Sequence, residues 1–210
     1  MEKAPVRLVT RLPDAPADGE MLILCPFLAG LDPAIAMWLG PLAWHDCNAA
    51  LLAALPASVP SGACVFAGVF CADPFRSAGD LLGALHAAGV AGVANLPSVS
   101  FLDGEFAQTL DALQLGRQRE LAFLRGAAQA GFRIAGCAGS PAEAQELAAA
   151  GAELLIVHAG PPLPEAHRDA GERLTRRLQN KHIRAVALSD LLETAAGRPG
   201  TGSAAIRDRT

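Results

Sequence analysis

The chain has 210 residues, 51% of them hydrophobic and 18% charged, which makes one generous domain and excludes disorder or a coiled coil. Seventeen Lys and Arg against 21 Asp and Glu leave a net charge of −4, with aromatics at 5% and no Tyr. Nucleic acid and anionic membranes are therefore not expected as partners, because the first wants a basic field with stacking rings and the second a basic surface.

The elements follow in chain order. VRLVTRL at 6–12 reads as a weak edge or first strand, and MLILCPF at 21–27 as a buried one. The apolar stretch 26–44 (PFLAGLDPAIAMWLGPLAW), with Trp38 and Trp44 about a Gly-Pro turn, predicts core packing or a subunit contact, hence a homo-oligomer. ACVFAGVFC at 63–71 is the next strand, and a helix opens at Ser77 with Asp80 and closes at Gly89. VAGVA at 90–94 is a strand, and the segment from Arg117 to Ala130 a helix stopped by Gly131. RIAGCA at 133–138 is followed by Ser140-Pro141-Ala142-Glu143, a cap, a Pro in the first turn and a capping-box acid, with a helix end at Gly151. ELLIVHA at 153–159 and IRAVAL at 183–188 are strands on either side of a charged helix over 165–181, whose basic residues crowd its C-terminal half. The tail from 197 to 210 reads as flexible, leaving 1–196 as a single domain.

None of these strands alternates apolar and polar residues, and continuous apolar runs belong to parallel strands covered on both faces. Ala88-Gly89, Ala130-Gly131 and Ala150-Gly151 each end a helix just before a strand, which is the join of repeated β-α units. No G-x-G-x-x-G follows an early strand, so the dinucleotide-binding sheet loses to a small or incomplete (β/α)8 TIM-like barrel with mainly parallel strands. Cys25, Cys47, Cys64, Cys71 and Cys137 show no zinc spacing and no disulfide framework. The first twenty residues lack a signal-peptide core and no apolar run reaches membrane-spanning length, so a cytoplasmic protein is expected.

In such folds ligands bind where the strands end. Asp73, Pro74, Phe75 and Arg76 follow one strand; Asn95, Pro97, Ser98 and then Asp103-Gly104 follow the next. Gly139 and Ser140 come after the strand at 133–138, His158 and Gly160 stand at the end of another, and Ser189 and Asp190 follow the last. Asp73 reads as a helix cap or as an acid–base group, and Arg76 as its ion-pair partner or as an anion clamp. Asn95 reads as a turn residue or a substrate ligand, and His158 as a satisfied core imidazole or an acid–base group. His45, His86, His167 and His182 read as surface groups. A Mg²⁺ site would need two or three convergent carboxylates, for which only Asp73 with Asp103 or Asp190 offer themselves.

The stretch from Gly68 to Gly160 resembles the phosphoenolpyruvate hydrolase-like TIM-barrel family. The resemblance is carried by GVFCADPFR (68–76), AGVAGVANLPSVSFLDG (88–104), LGRQRELAFLRGAAQAG (115–131) and AGAELLIVHAG (150–160). It implies a hydrolase or lyase acting at the C-terminal face of the barrel on a small anionic metabolite, a phosphorylated or oxo carboxylic acid. Asp73 and His158 would be catalytic, with Arg76, Asn95, Ser98, Asp103 and Gly160 holding the substrate. Two ligand loops depart from the family pattern. CPFLAG at 25–30 brings no polar donor, and Pro161-Pro162-Leu163-Pro164 replaces a Gly-rich loop and with it several backbone N–H groups. The alternative is a degenerate, non-catalytic barrel that binds a ligand or a partner.

Overall fold

A computed structural model describes residues 5–17, 19–42, 45–60, 62–158, 165–179 and 183–195, with backbone only for 165–170. Among these residues seven strands, β1 (Val6–Val9), β2 (Met21–Leu24), β3 (Cys64–Gly68), β4 (Gly92–Ala94), β5 (Arg133–Ala138), β6 (Ala152–Val157) and β7 (Ala185–Ala187), form one parallel sheet in sequence order. Among the described residues β1 and β7 do not pair. The sheet is a curled, incomplete TIM-like barrel, as the unbroken apolar runs predict.

Among the described residues eight helices accompany the strands: α1 (Pro33–Leu39), α2 (Cys47–Ala54), α3 (Ala78–Ala87), α4 (Gly104–Ala112), α5 (Arg117–Gln129), α6 (Pro141–Ala149), α7 (Glu165–Gln179) and α8 (Leu188–Ala195). α8 packs along β1, where the Leu8 N–H donates to Thr194 Oγ1 at 3.2 Å, so a helix rather than an eighth strand lies against that edge. The predicted starts and stops hold where caps write them. Ser77 accepts from Asp80 N–H and Ser140 from Glu143 N–H, and the joins at Gly89, Gly131 and Gly151 sit at φ of +76°, +90° and +96°, a region glycine enters without strain.

Two apolar layers result. Inside the barrel lie Leu8, Met21, Ile23, Cys25, Phe66, Leu96, Cys137, Leu154, Ile156 and Leu188, all buried. Between sheet and outer helices lie Leu22, Leu24, Val65, Ala67, Leu85, Val93, Leu124, Ile134, Leu147 and Leu155. The alternation along each strand divides its residues between these layers.

Several expectations need correcting. Residues 26–28 form a single 3₁₀ turn beyond β2, and the apolar stretch that follows holds α1, capped by Asp32, whose carboxylate accepts from the N–H groups of Ala34 and Ile35. Ser189 and Asp190 do follow the last strand, but already in the first turn of α8, because the chain passes from β7 into α8 with no residue between. The tail from 197, Gly160, Pro161 to Pro164, Trp44 and His182, and the side chain of His167, lie outside the described residues.

Candidate functional site

Polar residues gather in two groups where the strands end. The first is buried and begins with Asn95, one residue beyond β4. Its Oδ1 accepts from Cys137 N–H at 2.6 Å, which ties the end of β4 to β5. Its Nδ2 donates to Ser98 Oγ and to Glu120 Oε2, both at 3.2 Å. Ser98 Oγ lies 2.9 Å from Glu120 Oε2 and 2.8 Å from Ser100 Oγ, and Ser100 Oγ lies 3.0 Å from His158 Nε2. Val99 N–H donates to the other carboxylate oxygen at 2.9 Å. A continuous path of hydrogen bonds thus runs from the carboxyl of Glu120 through two hydroxyls to an imidazole.

Packing fixes each member. Asn95 and Ser98 are fully enclosed, Glu120 and His158 nearly so, and Ser100 is half-buried. Phe101 holds the His158 ring with centroids 4.4 Å apart. Behind the ring runs the backbone of Gly139, where a Cβ would come within 2.7 Å of Cε1 and 3.0 Å of Nε2. Arg117, in the first turn of α5, reaches Glu146 Oε2 at 2.9 Å and the Glu143 carbonyl at 3.3 Å, joining α5 to the start of α6.

Burial in this apolar setting disfavours charge on both ends of the path. It pushes the Glu120 carboxyl up to about 7, against the opposing pull of Val99 N–H, Ser98, Asn95 and the Arg117 charge. It pulls the His158 imidazole down to about 4, and Arg117 adds to that. Near neutral pH the imidazole is uncharged while the carboxyl stands close to its midpoint. Hydroxyls both donate and accept, so the path has two polarities. With Glu120 ionised, Ser98 and Ser100 donate toward it and His158 offers Nε2–H to Ser100. With Glu120 protonated, the hydroxyls reverse and His158 Nε2 accepts. The two polarities differ by one proton, so a proton handed from the carboxyl to Nε2 leaves the ring neutral only when Nδ1 gives up its own proton in the same step.

The second group lies on the outer side of the barrel. Asn48 on α2 accepts from Phe70 N–H at 3.1 Å and donates to the Phe70 carbonyl at 3.0 Å and to Asp73 Oδ2 at 2.8 Å. Asp73 Oδ1 accepts from Phe75 N–H at 2.8 Å; Ser77, not Asp73, caps α3. Arg76 donates from Nη2 to Asp46 Oδ2 at 2.7 Å and holds Nε 3.6 Å from Asp73 Oδ2. Arg119 donates to the Asp73 carbonyl at 2.8 Å. Asp73, Arg76 and Arg119 line a cavity of about 250 Å³ between α3 and α5.

The structure therefore joins Asn95, Ser98 and His158 and sets Asp73 and Arg76 with Asn48 and Asp46 instead. Asp103 stands exposed at the start of α4, without a side-chain bond to that helix. Ser100, Glu120 and Arg117 were not among the expected residues. Glu120 had a signal: it shares the apolar stripe of Leu121, Leu124 and Ala127 on α5, an unusual place for a carboxylate. The carboxylates that a Mg²⁺ ion would need do not meet. Among the described residues no three His, Cys, Asp or Glu side chains converge in a way that could hold a metal ion, so the donor set does not fit and no step is routed through one. Nor is any described helix long and apolar enough to cross a membrane.

Comparison with known proteins agrees with the architecture. An uncharacterized protein, y4oT, of Sinorhizobium fredii (strain NBRC 101917 / NGR234) is 39% identical over 153 residues, 72% of this chain and 78% of that protein. The ToMV resistance protein Tm-1(GCR237) of Solanum lycopersicum is 34% identical over 123 residues, 58% of this chain but only 16% of the tomato protein. The ToMV susceptible protein tm-1(GCR26) of the same plant matches to the same extent. The sequence profile described as phosphoenolpyruvate hydrolase-like matches residues 34–191, which span both polar groups and all strands from β3 onward, and the chain belongs to that family.

Proposed function

We propose that this chain is an acid–base enzyme, a hydrolase or lyase that acts on a small phosphorylated or oxo carboxylic acid where β4, β5 and β6 end. The observation that carries the reading is the path from Glu120 through Ser98 and Ser100 to His158, each step between 2.8 and 3.0 Å. His158 is the acid–base group, because it is uncharged at neutral pH and its Nε2 can take up a proton from a substrate and return it. Ser100, the least enclosed member, stands beside it at the substrate side. Asn95, Ser98 and Glu120 are enclosed and act through others: Asn95 and Ser98 orient the path, and Glu120 stores the proton at its far end.

The test is turnover of phosphoenolpyruvate, phosphonopyruvate and oxaloacetate by the purified full chain, with Mg²⁺ supplied. The expected result is turnover of at least one, lowered about 10²- to 10⁴-fold in His158→Gln, the range a lost general acid or base gives. No turnover of any of the three, in protein that unfolds cooperatively, overturns the enzyme reading.

One observation favours a second reading, a barrel that binds without catalysis. The barrel interior is filled with large apolar groups, Phe66, Leu96, Ile156 and Leu188 among them, all buried. A thermal shift with these acids that is not accompanied by turnover, and that survives His158→Gln, supports this reading against the first.

A further inference from the structure

We propose that the cavity between α3 and α5 is a second site, separate from the acid–base path, that binds a short apolar monocarboxylate with its head on Arg119. The cavity holds about 250 Å³, just under the roughly 300–1,000 Å³ of drug-sized ligand sites, so it suits a short chain. Its walls are apolar: Phe70 and Cys71 beyond β3, Leu81 and Leu82 on α3, and Phe123 on α5.

Pairing geometry selects the head group. Arg76 takes both nearby carboxylates, Asp46 at 2.7 Å and Asp73 at 3.6 Å. Arg119 is held by a backbone carbonyl alone, and among the described residues no carboxylate comes within ion-pair distance of it. Two arginines and two carboxylates sum to zero here, but the pairing is uneven: a guanidinium with no carboxylate of its own, over an apolar floor, offers its fork to a carboxylate on an apolar body.

A second observation concerns Gly126, which also lines the cavity. It stands in the last turn of α5, where glycine is still less favourable than alanine. A Cβ at this position would meet nothing within 4 Å, so no close approach requires the glycine. Its effect is to leave the cavity open. The DPFR motif at 73–76 thus finds a setting on the rim of this cavity, not in the acid–base path.

The probe is hexanoate, titrated into the full chain by calorimetry, with hexylamine as the charge-reversed control. Saturable hexanoate binding is expected, with none by hexylamine. Arg119→Gln should weaken it about tenfold or more, the worth of a lost charge-assisted bond. Gly126→Leu, which fills the cavity while improving helix propensity, should abolish it with cooperative unfolding retained. Ser100→Ala should leave hexanoate binding unchanged, which separates this site from the acid–base reading: either can fail alone. Absence of hexanoate binding, or binding unaltered by Gly126→Leu, overturns the proposal.

Discussion

Replacing Glu120 with Gln should change how stability depends on pH, and the sign follows from burial. The Glu120 carboxyl moves from an ordinary 4.5 to about 7 in the fold. Between those values the folded protein holds a proton that the unfolded chain has lost, so stability falls as pH rises through that window. His158 does the reverse. Its imidazole moves from 6.5 to about 4, so between those values the unfolded chain holds the proton and stability rises with pH. At about 1.4 kcal/mol per pH unit, each window is worth roughly 3 kcal/mol. The windows overlap between pH 4.5 and 6.5 with opposite slopes, and in the native protein they largely cancel. Glu120→Gln removes one and exposes the other: relative to the native protein it should gain roughly 3 kcal/mol between pH 4.5 and 7 and nothing more above that. His158→Gln should lose a similar amount relative to the native protein between pH 4 and 6.5. Urea denaturation at half-unit pH steps reads both differences, with constant m-values as the check on two-state unfolding. A Glu120→Gln difference curve that is flat across pH 4.5–7 would show that the carboxyl titrates as it does in water, and the path would lose its proton store.

Two further predictions concern the ring. Because the path has two polarities, ¹⁵N spectra of the imidazole should show His158 passing from the Nδ1–H to the Nε2–H tautomer as pH rises through about 7, with no imidazolium, and Ser100→Ala should abolish the passage; a single tautomer from pH 5 to 9 refutes the coupling. Gly139→Ala should drive a methyl into the ring edge, costing about 1–3 kcal/mol as overpacking and displacing Nε2 from Ser100, visible as a lower Tm and an altered ¹⁵N signal; a variant as stable as the parent with an unmoved signal contradicts the contact.

How far the sequence could be read depended on where each signal sits. The strands from β2 to β7 were legible because parallel strands covered on both faces have no polar side to show, so MLIL, CVFAG and AELLIV stand out as they are. α3, α5 and α6 were legible through Ser77, Ser140 and the Ala-Gly joins. α1 was not, since PAIAMWL is apolar on every side and carries no 3.6-residue period, and α4 was not, since it buries no residue at all. α8 begins on the residue after β7 with neither Gly nor Pro to mark the change.

The site divides in the same way. Asn95, Ser98 and His158 were found by asking which polar groups follow a strand, but that question cannot reach Glu120, which comes from a helix. It also found Asp73 and Arg76, but not the partner that holds Asp73, because Asn48 lies 22 residues before Phe70 and 25 before Asp73, and nothing local announces it. α5 is what separates the two groups. Consecutive helical residues point about 100° apart. Glu120 is therefore carried into the strand ends, where Ser98 and Asn95 meet it, while Arg119 is carried round to the Asp73 carbonyl and the cavity. One turn of one helix thus gives the family's strand-end residues two destinations, a buried path suited to moving a proton and an outer cavity suited to holding an anion. Shifting the register of α5 by a single residue would spoil both: in one direction Arg119 would stand against Asn95 and Ser98 with Gln118 at the cavity, and in the other Leu121 would stand there with the Glu120 carboxylate at the cavity rim.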